Sequence, residues 1–230
     1  LGLGERRIAV AAVCIYPRFI GAAKKALGGS GIPVAAVSAG FPSGLAPLAQ
    51  RIAEIRACVA EGADEIDIVI TREHVLTQNW QALYDEVRAF KEACGEVHMK
   101  SIIATGDLKT LRNVGRASWV AMMAGSDFIK TSTGKEGVNA TLPVALTMVR
   151  AIRAYREMTG YAVGFKPAGG VATAKDALAY QFVMKEELGN HWLQPGLFRI
   201  GASALLADIE RQLEHFLTGR YASFEHHGMG

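Results

Sequence analysis

The sequence predicts an α/β fold built on a parallel sheet, and three observations carry that prediction. Short apolar, β-branched runs recur at a near-constant interval, and the stretches between them show helical periodicity. The runs are also apolar almost throughout, as strands covered on both faces are. In order they are RIAVAAVCI (7–15), IPVAAVSAG (32–40), EIDIVI (65–70), HMKSIIAT (98–105), DFIKTS (127–132), YAVGFKPAG (161–169) and LFRIGAS (197–203). They begin roughly 25 to 35 residues apart, close to the ~30 residues per strand–helix unit of a TIM (β/α)8 barrel.

Two intervening segments show the helical pattern most plainly. In ALYDEVRAFKEACG, Leu83, Val87, Phe90 and Cys94 fall on one face at three- and four-residue spacing. AKDALAYQFVMKEELG ends on a glycine suited to a helix C-terminus. A closed barrel of this type needs eight strands, and seven runs are visible. Since the first begins at residue 7, the remaining strand is expected upstream, outside this chain. The rival is a doubly wound open sheet, but no GxGxxG turn follows the first run. No linker or low-complexity break divides the chain. One barrel domain over residues 1–222 is expected, with 223–230 a flexible tail that holds His226 and His227.

Composition narrows the class. The 230 residues are 50% hydrophobic and 20% charged, within the range of globular proteins. The net charge is +3 without a long basic run, so incidental solvated lysines explain it better than a nucleic-acid surface. Cys14, Cys58 and Cys94 are widely spaced and never form a CxxC pair. Neither a disulfide framework nor a zinc site follows, and a reducing compartment is expected. Cys14 is expected to be a small buried hydrophobe. No apolar stretch reaches the ~18 residues of a membrane span. No signal peptide is visible, although the chain begins with Leu1.

Function in such a barrel sits at the C-terminal ends of the strands. Asp67 lies among isoleucines, Lys130 closes DFIK, and Lys166 closes VGFK. Strand alternation puts Phe128, Lys130 and Ser132 on one face, with Gly164 and Lys166 on the matching face of the next strand. Neighbouring strands are ~4.8 Å apart, so the two lysines can crowd one another. Each ammonium then disfavours protonation of the other, and burial acts in the same direction. A lysine so placed is a nucleophile toward carbonyl carbon, and a nearby carboxylate can shuttle protons. Spacing alone equally allows a buried Lys–Asp ion pair beside a snorkelling lysine. TSTGK (131–135), PAGGV (167–171) and RIGAS (199–203) each follow a strand. Their backbone N–H groups are expected to be open to a phosphate or another anion. TSTGKE is not a Walker A loop, because its spacing fails and Glu136 follows the lysine.

VCIYPRF, EIDIVI, ATGDL, GSDFIKTSTGK, VNAT, GFKPAGGV and FRIGAS occur in order between residues 13 and 203, within a resemblance that runs from about residue 8 to about 222. Together they resemble the deoxyribose-phosphate aldolases, class I aldolases on a TIM barrel. The resemblance implies reversible cleavage of 2-deoxy-D-ribose 5-phosphate to acetaldehyde and D-glyceraldehyde 3-phosphate. By motif, Lys130 is implied as the Schiff-base lysine, Lys166 as the lysine that depresses its pKa, and Asp67 as the proton-relay carboxylate. Lys100 is implied to orient Asp67, unless it is only a structural ion pair, and Thr133 is a supporting residue. Gly134, Lys135, Gly169, Gly170, Gly201 and Ser203 match the phosphate and substrate surroundings. No metal or other cofactor is implied. The implied partners are small aldehydes and sugar phosphates in the cytoplasm, with no nucleic acid or membrane, and the resemblance admits a homodimer. Two other readings stand beside it: a Schiff-base aldolase or transaldolase with a different donor, and an inactive barrel that binds sugar phosphates.

The chain departs from the family pattern where Ala172 replaces the usual arginine after PAGGV and Ala204 replaces the polar residue after GAS. Losing a guanidinium and a hydroxyl is expected to weaken phosphate binding, since a charge-assisted hydrogen bond contributes roughly 1.5–3 kcal/mol.

Overall fold

Six strands, each followed by at least one helix, form one parallel sheet whose spatial order is the order of the chain. The computed structural model describes residues 8–223 and residue 226. Arg7 of the first predicted run lies outside these residues, as do 224, 225 and 227–230 of the predicted tail. The strands are β1 (Val13–Ile15), β2 (Val34–Ser38), β3 (Glu65–Val69), β4 (His98–Ile102), β5 (Phe128–Lys130) and β6 (Gly164–Lys166). The principal helices are α1 (Ile20–Ala26), α2 (Leu48–Ala60), α3 (Arg72–Leu76), α4 (Trp80–Cys94), α5 (Leu111–Met123), α6 (Leu142–Thr159), α7 (Ala174–Leu188) and α8 (Ala204–Thr218).

Periodicity located the two predicted helices correctly. α4 buries Leu83, Val87, Phe90 and Cys94, with Glu86 as an unexpected fifth. α7 begins with a Thr173–Asp176 capping box and ends at Gly189, which adopts a φ of 85°. The cap satisfies amides that the first turn would otherwise leave unpaired.

The seventh run forms only isolated parallel bridges beside β6, Phe165 to Phe198 and Ala168 to Gly201. The interruption has a chemical cause. Arg199 N–H donates to Phe165 C=O, and Gly201 N–H donates to Pro167 C=O. A regular ladder would need Pro167 to donate to Arg199 between these bonds, and proline has no N–H. Among the described residues nothing pairs β1 with the 197–201 segment. A gap of about 470 Å³ lies there, walled by Ala9–Ala12 on one side and by Phe198, Arg199 and Leu205 on the other. Among the described residues the sheet is therefore open, with six regular parallel strands.

Its two faces differ sharply. Ile66, Ile68, Met99, Ile129 and Phe165 belong to the apolar core shared with the helices. The alternate residues face the interior, and strand register sets Val37, Asp67, Lys100, Phe128 and Gly164 in one row. Lys130 and Lys166 pair in the next row, at the strand ends. Gly164 lies beneath the Phe128 ring, and a Cβ there would stand 2.3 Å from Phe128 Cζ. Buried Arg51 ties down the same end of the sheet. It donates to the carbonyls of Ala39 and Val69 at 2.8 and 2.5 Å and pairs with Glu86 at 2.6 Å.

Candidate active site

The C-terminal ends of the strands enclose a cavity of about 590 Å³ whose inner wall carries Lys130 and Lys166. Both lysines are almost wholly buried and bond the same carboxylate oxygen. Lys130 Nζ donates to Asp67 Oδ2 at 2.9 Å and Lys166 Nζ donates to it at 2.7 Å. The two nitrogens are therefore no further apart than the sum of those distances. Asp67 does not line the cavity; it is fully buried behind the lysines.

Beneath this trio the charges continue to alternate. Lys100 Nζ donates to Asp67 Oδ1 at 2.9 Å and to Glu65 Oε2 at 2.6 Å. Arg199 Nη2 meets Glu65 Oε1 at 2.9 Å. Burial alone would raise the Asp67 pKa, but Lys100, Lys130 and Lys166 together hold it well below the usual carboxylate range. Burial likewise opposes ionisation of Glu65, yet contact with His98, Lys100 and Arg199 keeps it ionised.

The two lysines diverge. Burial is the leading influence that lowers the Lys130 pKa; Asp67 opposes it and Lys166 adds to it. The crowding expected from sequence is present but secondary to desolvation. Lys166 is desolvated too, yet Asp67, Cys14 and Glu65 together outweigh that and raise it to about 12. One lysine is thus released toward its neutral form while its neighbour stays charged. An unprotonated amine beside a fixed cation and a buried carboxylate can add to a carbonyl and have the resulting proton transfers served locally.

The other predicted residues gather around this centre. Thr133, Gly134 and Lys135 border the cavity, as do Gly169 and Gly170, then Gly201 and Ser203. The two departures, Ala172 and Ala204, line it as well. Lys100 does not reach it and bonds Asp67 and Glu65 behind it.

Two expectations are corrected. Cys14 is exposed rather than buried, because β1 is an edge strand beside the gap, and its Sγ lies 3.8 Å from Asp67 Oδ2. The amides of Thr133 and Gly134 are not open to a ligand. Both donate to Glu136, at 3.0 and 3.2 Å, and the Thr133 hydroxyl donates to it at 2.8 Å. Sequence reasoning noted Glu136 only for breaking a Walker A pattern. The usable signal was T-x-x-E, the spacing at which a carboxylate reaches back to cap its own loop. Glu65 was missed too, although it stands two residues before Asp67 on the same face of β3. Gly170 and Ser203 keep amides without a hydrogen-bond partner among the described residues.

Among the described residues there is no cluster of His, Cys, Asp and Glu suited to a metal ion. No helix among them is long and apolar enough to cross a membrane.

Comparison with known proteins places the chain in a family. Residues 6–210 match the description "DeoC/LacD family aldolase". The chain is 60% identical to the human protein named deoxyribose-phosphate aldolase over 226 residues, covering 97% of this chain and 71% of that protein. The solved structure titled "QR15, an Aldolase" superposes with a TM-score of 0.71 at 26% identity, covering 90% of this chain and 83% of that one. The deoxyribose phosphate aldolase of Aeropyrum pernix, described as tetrameric, shares the fold at a TM-score of 0.66 and 21% identity. It is matched over 91% of this chain and 78% of its own. The run of matched residues takes in every side chain that contacts Asp67, and with that the chain belongs to the DeoC/LacD aldolase family.

Proposed function

We propose that this chain is a class I deoxyribose-phosphate aldolase in which Lys130 forms the Schiff base. The observation that carries the reading is the Asp67 oxygen shared by two lysines at the wall of one cavity, where burial leaves Lys130 less basic while Asp67 and its neighbours leave Lys166 more basic.

Neutral Lys130 Nζ attacks C1 of the open-chain sugar, and the carbinolamine loses water to give the protonated imine. The C3 hydroxyl then gives up its proton and the C2–C3 bond breaks, its electron pair drawn into the iminium. D-glyceraldehyde 3-phosphate leaves and an enamine remains. Protonation at C2 gives the acetaldehyde imine, which water hydrolyses. In this scheme Lys166 is the cation that donates and recovers protons. Asp67 keeps Lys166 charged and exchanges protons with the cavity through the lysine nitrogens, since it does not reach the cavity itself. The free amides of Gly170 and Ser203, with the Lys135 ammonium, form the phosphate end.

We extend the reading to the architecture. The six strands and the 197–201 segment are seven positions of an eight-stranded barrel in one domain, and the walled gap beside β1 marks the eighth position. A single apolar core that runs from Ile20 to Leu205 supports one domain. The free thiols of Cys14, Cys58 and Cys94 support a cytoplasmic enzyme.

Borohydride reduction in the presence of acetaldehyde, followed by peptide mass mapping, tests the chemistry. An ethyl adduct on Lys130 is expected. An adduct on another lysine, or none, would overturn the assignment.

A further inference from the structure

We propose that Glu65 and Arg199 are positioning residues for this reaction: a buried ion pair that sets how strongly the lysine pair is held to its protons. The inference rests on the proposed aldolase reading and deepens it.

Four cations and two carboxylates meet in the interior. Arg199 pairs with Glu65, Glu65 with Lys100, Lys100 with Asp67, and Asp67 with both Lys130 and Lys166. All six side chains are at most 10% exposed. Two anions cannot balance four buried cations, and the cluster relieves the excess most readily by releasing a proton. Arg199 cannot release one. Lys100 is held by two carboxylates at 2.6 and 2.9 Å, and Lys166 has the shorter contact to Asp67. Lys130 remains as the group with least support.

The balance depends on Glu65. Its charge opposes release from the lysines, and its influence reaches as far as Lys166. Arg199 offsets that charge from across the interior, on the segment beside β6. The groups facing Lys130 are Asp67 on β3, Lys100 on β4, Lys166 on β6 and Cys14 on β1. His98 on β4 lies 3.9 Å from Glu65, and Asp64, next to it in the chain, also feels its charge. Removing the Glu65 charge therefore makes Lys130 easier to deprotonate, and removing the Arg199 charge makes it harder. A purely structural ion pair would lose function in one direction only.

The test compares Glu65→Gln, Arg199→Gln and Arg199→Lys by the pH profile of kcat/KM and by the pH dependence of acetaldehyde trapping on Lys130. A parallel set carrying His98→Gln removes that imidazole as a source of any shift. The acidic limb should move to lower pH in Glu65→Gln and to higher pH in Arg199→Gln, each on the order of half a pH unit or more. Arg199→Lys should restore the wild-type limb. Unmoved limbs, or shifts of the same sign, would overturn the proposal. Should Glu65→Gln fail to fold, the two Arg199 variants decide the matter, because that side chain stands at the wall of the gap. Absence of a Lys130 adduct in the wild type would instead sink the aldolase reading; an adduct with unmoved limbs sinks the ion-pair role alone.

Discussion

Lys130 and Lys166 donate to one and the same oxygen, Asp67 Oδ2, at 2.9 and 2.7 Å, and their basicities separate in opposite directions. Replacing Lys166 by Leu removes a neighbouring cation and leaves Lys130 as the one lysine on that oxygen. Both changes favour protonated Lys130. The acidic limb of kcat/KM should rise by about one pH unit or more. Activity at pH 7 should then drop at least roughly tenfold and recover in part toward alkaline pH. A pH–rate series decides this, and an equal loss at every pH would contradict it.

Asp67 and Glu65 are more acidic in the folded chain than they would be unfolded. Below pH ~4 the unfolded chain therefore binds more protons, so stability rises with pH there. Their contribution is complete above the unfolded carboxylate values of ~3.9–4.3 and is lost as pH falls through the folded ones. Lys166 has the opposite sign: its folded value of about 12 gives stability that is complete below the unfolded ~10.4 and lost as pH rises through the folded value. Asp67→Asn leaves Lys130 and Lys166 buried without a carboxylate partner and should cost about 3–5 kcal/mol near neutrality. Melting temperatures from pH 2 to 6 should fall less steeply with acid in that variant than in the wild type.

The strands were legible because burial on both faces writes them as continuous apolar runs, and the lysines because an ammonium at the end of such a run demands a reason. What periodicity could not convey was the length of pairing. Pro167 removes one N–H and turns a predicted seventh strand into two bridges. Cys14 was misjudged because burial belongs to the neighbours of a strand, and β1 has one neighbour among the described residues. Glu65 and Glu136 escaped notice because each acts through another residue, Lys100 or the Thr133–Gly134 loop. The Glu136 contact leaves a local trace, T-x-x-E, whereas the long-range Glu65–Lys100 contact is visible only once the chain has folded.

Ala172 and Ala204 line the cavity where larger polar side chains would reach the proposed phosphate end. Ala172→Arg adds a guanidinium at an exposed position, so the gain is screened. KM for 2-deoxyribose 5-phosphate should fall about threefold to tenfold, while KM for 2-deoxyribose stays constant. Steady-state kinetics on both sugars measures it. An equal change for the two would show that the new side chain does not meet the phosphate.

Glu136 is the strut of the loop that carries Lys135. Its carboxylate, with a side chain 1% exposed, receives two amides and the Thr133 hydroxyl and lies 3.8 Å from Arg72. That hydroxyl oxygen in turn accepts the Lys135 amide at 3.1 Å. Glu136→Ala removes the acceptor for all three donors and loosens the phosphate end while leaving Lys130, Lys166 and Asp67 in place. KM for the phosphorylated sugar should therefore rise about tenfold with kcat within about threefold, the pattern of lost uniform binding. Trypsin should also cut after Lys135 faster than in the wild type, since the freed loop opens more often. A fall in kcat equal to that in kcat/KM would instead mean that the loop acts on the transition state, and Glu136 would then have to be counted with the lysines.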